Sequence, residues 1–274
     1  MRTVIVHYHT YKNSGSSFDE QLTQAFGEEH LLFDGPFAYN VFPQSELLKI
    51  VLRHPSVVAF SSHQIRLPVP ASLNVNILPV AFVRHPLLRI RSMYSFSRRR
   101  AMDLKNEAEE GRVTPLTAHE QWASELDFGG WLDRVAADKS MPLISNAQTQ
   151  IYGGIHGEQA PRLKRENKAR QWRWSVSDLE QAKRNLAVVP LLARTEYYQL
   201  DVARFSGVLA NYGIEFSTAE PTAVNVTSEH SHLSVDDRIA AIRDEVGQSR
   251  FDWLTAANEQ DLAIFQWVTN RLNG

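Results

Sequence analysis

Short apolar runs rich in β-branched residues alternate along the chain with segments of helical periodicity. The runs lack polar alternation, which is typical of parallel strands buried on both faces. They lie at 3–8, 57–61, 78–83 and 190–193. Apolar residues recur at helical spacing at 18–26, 47–52, 87–102, 199–211 and 258–272. This alternation predicts an α/β fold of three layers, in which a central, mainly parallel sheet is flanked by helices.

The length and composition favour one large globular domain. The chain has 274 residues, of which 43% are hydrophobic and 22% charged, so it can bury a sizeable core. We expect a single domain over 1–274, with a helical and loop elaboration at about 103–189. The absence of cysteine excludes disulfides, thiolate metal sites and cysteine nucleophiles.

Charge and hydropathy limit the partners and the location of the protein. A net charge of −2 gives no expectation of nucleic-acid binding. The apolar runs are all shorter than the roughly 20 residues that span a bilayer, and the chain opens on a strand-like run rather than a signal peptide. We therefore expect a cytoplasmic protein without a membrane span. The sequence leaves the oligomeric state open.

The stretch HTYKNSGSSF, at 9–18, joins the first predicted strand to a predicted helix. The N–H groups and the dipole at the start of a helix favour a bound anion. Gly15 allows the backbone to approach a ligand closely, and Lys12 adds a positive charge. The predicted anion-binding residues of this loop are Lys12, Asn13, Ser14, Gly15, Ser16 and Ser17.

The same loop has a plainer interpretation as a turn that leads into a capped helix. In that case Ser17 is the N-cap and Lys12 lies in solvent. Ser17 and Glu20 have the spacing of a capping box, in which a hydroxyl and a carboxylate satisfy each other's backbone donors, and so do Thr117 and Glu120. On these residues alone, both interpretations stay open.

A second candidate anion site follows the strand predicted at 78–83. In AFVRHPLLRIRSMYSF, at 81–96, Arg84 comes at the end of that strand and Pro86 opens a helix. Ser92 lies about two turns into this helix. An arginine at a strand end can form a paired hydrogen bond with a phosphate, and a helical serine can add a hydroxyl. Two such sites suit a nucleotide with phosphates at both ends.

These two elements resemble those of sulfotransferases that use 3′-phosphoadenosine 5′-phosphosulfate (PAPS). HTYKNSGSS resembles their H-x-P-K-T-x-G-T-S loop, and VRHPLLRIRSMY resembles their R-x-P-x-x-R-x-x-S-x-Y element. The similarity is greatest to the carbohydrate (polysaccharide O-) sulfotransferases. Further segments similar to that family follow in the same order: NAQTQIYGG, LLARTEYYQLDVARFSGVL and NEQDLAIFQWV. The resemblance implies a P-loop-like three-layer sandwich.

The resemblance also implies roles for individual residues. The loop residues would grip the 5′-phosphosulfate of PAPS, and Lys12 would neutralise the charge that builds on the leaving phosphate. Arg84 and Ser92 would bind the 3′-phosphate. The sequence departs from the family pattern at Tyr11, which replaces a proline, and at Gln150, which replaces an arginine.

Sulfuryl transfer needs a base for the acceptor hydroxyl, and His63 is the candidate. It follows a predicted buried strand in VVAFSSHQIRL, so it is expected at the same edge of the sheet as Lys12 and Arg84. It also resembles the histidine of the G-H-x-x-x-L element that carries the base in uronosyl 2-O-sulfotransferases. Asp19 and Glu20 are rival bases, and a structural histidine is the plainer alternative.

The other histidines and the basic clusters receive weaker interpretations. His9 is expected to brace the end of the strand, and His7 and His9 without a third ligand make a poor metal site, so we expect no metal requirement.

Two basic clusters are either solvated faces or parts of the site. The first contains Arg89, Arg91, Arg98, Arg99 and Arg100, and the second fills 162–174. If it belongs to the site, the second is a candidate lid over the nucleotide, or a part of the groove for an anionic acceptor.

The predicted function is transfer of a sulfuryl group from PAPS to an acceptor hydroxyl by in-line displacement. The resemblance implies a carbohydrate acceptor. Two alternatives stay open at this point: a nucleotide-dependent phosphotransferase with a variant loop, and a non-catalytic protein that binds anionic ligands.

Overall fold

The computed structural model describes residues 1–35, 41–110, 114–138, 143–153, 176–217 and 233–274. The chain divides into two compact units. The first comprises Met1–Arg84, Gln148–Asn225 and Ala263–Gly274, and the second His85–Ala147 and Val226–Leu262. The candidate lid at 162–174 lies outside the described residues.

The first unit contains a five-stranded sheet within the described residues. Its strands are β1 (Arg2–Tyr8), β2 (His30–Leu32), β3 (Ala59–Ser62), β4 (Val75–Val83) and β5 (Leu191–Arg194). Their order is β2-β3-β1-β4-β5, and every neighbouring pair is parallel. The α/β fold with a parallel sheet is therefore confirmed. The sequence patterns missed β2, which is only three residues long.

The α-helices of the described residues are numbered along the chain. They are α1 (Gly15–Phe26), α2 (Gln44–Arg53), α3 (Pro86–Glu109), α4 (Ala118–Glu125), α5 (Phe128–Ala136), α6 (Ala147–Gly153), α7 (Val176–Ala187), α8 (Tyr198–Ala210), α9 (Val235–Val246), α10 (Gln248–Ala256) and α11 (Glu259–Asn273). None of these helices is both long enough and apolar enough to cross a bilayer.

Alternate residues of the strands bury their side chains against helices on opposite faces of the sheet. Ile5 of β1 packs in a cluster with Phe18 of α1 and Phe205 of α8. The neighbouring residue Val6 faces the other way, into a cluster that includes residues of α2, α7 and α11 such as Leu47. Because successive strand residues point to opposite faces, these two clusters form the two interfaces of a three-layer sandwich. Each fully buried side chain of this kind contributes about 1.5–3 kcal/mol.

The second unit is helical in its described residues. The side chains of α3, α4, α5, α9 and α10 share one core, which includes Ile90, Trp131 and Leu254. Helix α3 begins at Pro86. Proline is favoured at the first helical position, because the N–H that it lacks would have no partner within the helix. The elaboration expected at about 103–189 overlaps this unit only from 103 to 147.

One of the two predicted capping boxes is confirmed and the other is wrong. The N–H of Glu120 donates to Thr117 Oγ1, and the N–H of Thr117 donates to Glu120 Oε2 at 2.7 Å. Ser17, by contrast, is the third residue of α1 rather than its cap. The backbone takes a left-handed conformation at Ser14, with φ of 61°, so the helix begins at Gly15.

Candidate functional site

Three loops that carry predicted site residues follow the carboxyl ends of neighbouring parallel strands, which lie at one end of the sheet. Lys12 follows β1, His63 follows β3, and Arg84 follows β4, and β1 lies between the other two strands. Along the strand order, β1 is connected to β2, which lies to one side of it. Strand β4 is connected to β5, which lies in the opposite direction. The crevice between β1 and β4 is therefore a topological switch point, where ligands of open α/β sheets bind.

The loop after β1 has unusual backbone geometry. Lys12 and Ser14 have φ of 65° and 61°, in a region that residues other than glycine rarely adopt. Such conformations cost about 1–3 kcal/mol each and cluster at functional sites. Lys12 is half-buried, and its Nζ lies 5.9 Å from the ring centroid of Tyr11, which is 38% exposed. Ser16, on the first turn of α1, is exposed.

Gly15 is required because the ring of His9 lies directly beside it. A Cβ atom at this position would lie 1.9 Å from His9 Cδ2, which is far inside any allowed contact. The sequence predicted a close approach between Gly15 and a ligand. The structure adds that the protein's own histidine already occupies the space on the Cβ side.

The side chain of Asn13 is buried and fastens the loop to the sheet. Its Nδ2 donates to the carbonyl of Phe82 at 2.6 Å and to Gln148 Oε1 at 2.7 Å. Gln148 lies in α6 and is fully buried. Its Oε1 also accepts from the N–H of Arg84 at 2.9 Å, and its Nε2 donates to the Arg84 carbonyl at 2.7 Å. Gln148 therefore links the loop after β1 to the end of β4.

Tyr152 makes a second link from the same helix. Its hydroxyl donates to the carbonyl of Phe82 at 2.5 Å and lies 2.9 Å from Thr10 Oγ1. Gln148 and Tyr152 are four residues apart, so they lie on one face of α6. In the sequence they stood out only because NAQTQIYGG resembles a family segment.

Arg84 is almost fully buried, at 8% exposure, and joins the two candidate anion elements. Its guanidinium Nη1 donates to the carbonyl of Lys12 at 2.8 Å. Its Nε lies 3.4 Å from Oε1 of Glu196, whose side chain is fully buried. Glu196 was missed at the sequence level because its pairing with Arg84 depends on the order of strands β4 and β5.

Ser92 and Arg89 lie on α3, in the second unit. Ser92 is half-buried, and buried Arg89 donates to the carbonyl of Leu143 at 3.1 Å. Arg91 of the same basic cluster pairs with Glu245 at 2.8 Å. A joint role of Ser92 and Arg84 on a 3′-phosphate stays a prediction.

His63 follows the carboxyl end of β3, and both its ring and its backbone are held there by hydrogen bonds. The ring Nδ1 lies 3.0 Å from the carbonyl oxygen of His9, and the backbone N–H donates to Asp34 Oδ1 at 3.0 Å. The centroids of the His63 and His9 rings are 3.7 Å apart. Partial burial lowers the pKa of His63, and repulsion from a charged His9 adds to this, against the opposing charge of Asp34. His63 is thus favoured as a neutral imidazole.

Asp19 of α1 bridges two histidines of β1. Its Oδ1 lies 2.7 Å from Nδ1 of His7, and its Oδ2 lies 2.8 Å from Nδ1 of His9. Burial alone would raise the pKa of Asp19, but the charge and hydrogen bond of His7 and the bonds of His9 outweigh it and hold this pKa well below its usual range. Asp19 is therefore an ionised, buried carboxylate.

This bridge corrects one step of the sequence-based argument on metals. His7 and His9 do have a third candidate ligand, because the ligand atoms of His7, His9 and Asp19 all lie within 4.8 Å of one another. The two nitrogen–oxygen distances are those of hydrogen bonds between the three side chains. The expectation of no metal requirement stays a prediction.

The two rival bases occupy different environments on α1. Asp19 is buried and has a histidine on each oxygen, which disfavours a role as proton acceptor. Glu20 is half-buried.

No family model matches the chain. The chain is similar to an uncharacterized protein of Archaeoglobus fulgidus, with 26% identity over 277 residues that cover 98% of this chain and 97% of that protein. The similarity therefore extends over nearly the full length of both chains.

Proposed function

We propose that this protein transfers a sulfuryl group from PAPS to an acceptor hydroxyl, by default that of a carbohydrate. One observation carries the proposal. The two elements that resemble the phosphate-binding elements of sulfotransferases follow the neighbouring strands β1 and β4, at a topological switch point, and Arg84 bonds the backbone of Lys12 at 2.8 Å.

The residues at the carboxyl ends of β1 and β4 suit an anionic nucleotide. Lys12 and Arg84 supply positive charge, and the start of α1 supplies backbone N–H groups and the positive end of a helix dipole. Asp19, a buried carboxylate of α1, is turned towards His7 and His9, which offset its charge, and the buried carboxylate of Glu196 is paired with Arg84. When bound, PAPS supplies an activated sulfuryl group that is transferred to an oxygen atom.

In this proposal the loop residues bind and orient. Lys12 stabilises the negative charge that develops on the leaving phosphate, and the hydroxyls of Ser14, Ser16 and Ser17 donate to its oxygens. Asn13 serves mainly through its bonds to β4 and to Gln148 of α6, which fix the loop. Such electrostatic stabilisation and positioning are the main work of a protein in transfers of this kind.

Arg84 and His63 take the remaining roles. Arg84 orients the nucleotide through its 3′-phosphate, and the resemblance assigns the same phosphate to Ser92. His63 accepts the proton of the acceptor hydroxyl at Nε2. A carbohydrate acceptor and a cytoplasmic location belong to the same proposal, with no nucleic-acid partner.

A thermal-shift experiment tests the nucleotide. Ligands that bind only the folded protein raise its melting temperature. We expect stabilisation by 3′,5′-adenosine bisphosphate that is much larger than that by ATP with Mg²⁺, and we expect the Lys12→Ala/Arg84→Ala variant to lose it. Arg99→Ala, which changes an exposed arginine, is the control and should keep the shift. Stabilisation by ATP with Mg²⁺ alone would favour a phosphotransferase.

A transfer assay tests the reaction itself. The protein is incubated with sulfur-labelled PAPS and with separate pools of oligosaccharides, glycolipids and small phenols, and labelled products are separated. Label in the oligosaccharide pool that depends on Lys12 supports the full proposal. Binding of the bisphosphate without transfer to any pool would favour a non-catalytic anion-binding protein.

A further inference from the structure

His9 lies at the junction between the candidate base and the anion loop. Its N–H donates to the carbonyl of Ser62 at 3.1 Å, and its own carbonyl accepts from His63 Nδ1 at 3.0 Å. Its ring contacts the ring of His63, with centroids 3.7 Å apart. The same ring fills the space beside Gly15, the first residue of α1. One side chain therefore touches both the base and the start of the helix that follows the loop.

The orientation of that ring is set by Asp19. Oδ2 of Asp19 lies 2.8 Å from His9 Nδ1, and Oδ1 is held at 2.7 Å by His7 Nδ1. The His7 and His9 rings also stack, with centroids 5.1 Å apart. Hydrogen bonds to an ionised carboxylate are about twice as strong as neutral ones, so this arrangement holds the His9 ring firmly. Both oxygens of this buried carboxylate are engaged by histidines, so its evident role is to orient them.

We propose that Asp19 and His9 are positioning residues for the transfer reaction. Asp19 fixes the ring of His9, and this ring fixes the place of His63 relative to the loop that would hold the sulfuryl group. The inference rests on the proposed function. Neither residue makes or breaks a bond in the reaction; both act on the distance between base and donor, where an error of about 1 Å can cost 10²-fold in rate.

The main test is Asp19→Asn. The amide keeps the shape of the side chain but offers one acceptor oxygen and one donor nitrogen, so one of the two imidazoles must lose its hydrogen bond or change tautomer to accept from the amide. We expect kcat to fall about 10–100-fold. The Kd for 3′,5′-adenosine bisphosphate should change by less than about threefold, because the interaction lost acts on the reaction rather than on nucleotide binding.

A matched control is His30→Asn. His30 is a half-buried histidine that bonds the hydroxyls of Ser61 and Thr23 at 3.0 and 2.9 Å. If loss of any partly buried histidine bond slowed the reaction, this variant would slow it too. We expect its kcat to equal that of the wild type.

A second readout does not need catalysis. Nitrogen-15 NMR of the histidine side chains, recorded without nucleotide, reports which ring nitrogen carries the proton. We expect a single tautomer for wild-type His63, with the proton on Nδ1. In Asp19→Asn we expect a mixture of tautomers, because a loosened His9 ring no longer keeps the His63 ring aligned with the His9 carbonyl. A wild type without sulfuryl transfer would count against the proposed function, yet the NMR result would still decide the positioning role.

Two results would overturn the inference. One is an Asp19→Asn variant with unchanged kcat and an unchanged His63 tautomer. The other is a loss of nucleotide affinity as large as the loss of kcat, which would indicate a general collapse of the loop. If Asp19→Asn does not fold, His9→Asn takes its place, since it keeps a donor for Asp19 but removes the ring that contacts His63; the same outcomes apply.

Discussion

The Nδ1 atom of His63 lies 3.0 Å from the carbonyl oxygen of His9. A carbonyl oxygen can only accept a hydrogen bond, so Nδ1 of His63 carries the proton. In the neutral imidazole, Nε2 then keeps its lone pair and can accept a proton. Partial burial lowers the pKa of His63, which favours this neutral form at pH 7. Geometry and protonation state therefore both make Nε2 of His63 the atom able to act as the proposed base.

The His63→Gln variant tests this role. Glutamine can still donate to the His9 carbonyl but cannot act as a base. We expect kcat for sulfuryl transfer to fall about 10²–10⁴-fold. The matched control is His54→Gln, because His54 is an exposed histidine whose Nδ1 also lies 2.9 Å from a backbone carbonyl, that of Ile50. A fully active His63→Gln protein would move the base elsewhere, with Glu20 as the first candidate.

Histidines with lowered pKa values also predict how stability depends on pH. Burial lowers the pKa of His9, of His30, of His63 and of His119, although the hydrogen bond that His9 donates to Asp19 partly opposes this at His9. The unfolded chain, with histidine pKa values near 6.5, then binds more protons than the folded chain at mildly acidic pH. The free energy of unfolding should therefore be highest above pH 6.5 and fall as the pH drops below it.

Urea unfolding between pH 8 and pH 5 measures this dependence. Asp19 stabilises the fold to the same extent throughout this window and so adds no pH dependence, because its lowered pKa means that its stabilisation is lost only at much lower pH. The His30→Asn variant removes one of these histidines and should flatten the dependence. A wild-type free energy of unfolding that is constant between pH 7 and pH 5 would contradict the prediction.

The fold was easier to predict from the sequence than the site was. Four strands were recognisable because buried parallel strands are continuous apolar runs, whereas β2, at three residues, is too short to form a pattern. The loop after β1 was found from its lysine, glycine and serines. The bonds that fix it were not found, because Gln148 is 135 residues from Asn13 and meets it only in the folded chain. Asp19 was considered only as a rival base, since its bonds to two strand residues depend on how α1 packs.

Lys12 is expected to act on the rate rather than on binding. Its charge would be needed most when the leaving phosphate becomes more negative. We expect Lys12→Met to lower kcat about 10²–10³-fold, with a smaller effect on the Kd for 3′,5′-adenosine bisphosphate. Lys49→Met is the control, since Lys49 is an exposed lysine that pairs only loosely with Glu46, at 3.4 Å. Unchanged kcat in Lys12→Met would remove Lys12 from its assigned role.

Gln148 should matter for stability as well as for the site. In Gln148→Leu the side chain of Asn13 and both backbone groups of Arg84 lose a buried partner, each worth about 1–3 kcal/mol. We expect the free energy of unfolding to fall by at least about 2 kcal/mol in urea titrations. The same change at exposed Gln121 is the control and should alter it by less than about 0.5 kcal/mol. Equal effects of the two substitutions would show that the bonds of Gln148 contribute little.

Arg84 has two possible effects on nucleotide binding, and a pair of ligands separates them. A direct bond to the 3′-phosphate would make Arg84→Ala weaken binding of 3′,5′-adenosine bisphosphate by about 1.5–3 kcal/mol. Because Arg84 also donates to the Lys12 carbonyl at 2.8 Å, the substitution could instead loosen the loop that holds the 5′-phosphate. Adenosine 5′-monophosphate lacks the 3′-phosphate, so it reports only the second effect. Calorimetric titration should give a large loss of affinity for the bisphosphate and a small one for the monophosphate. Equal losses for both ligands would mean that Arg84 supports the loop and that the 3′-phosphate is bound elsewhere.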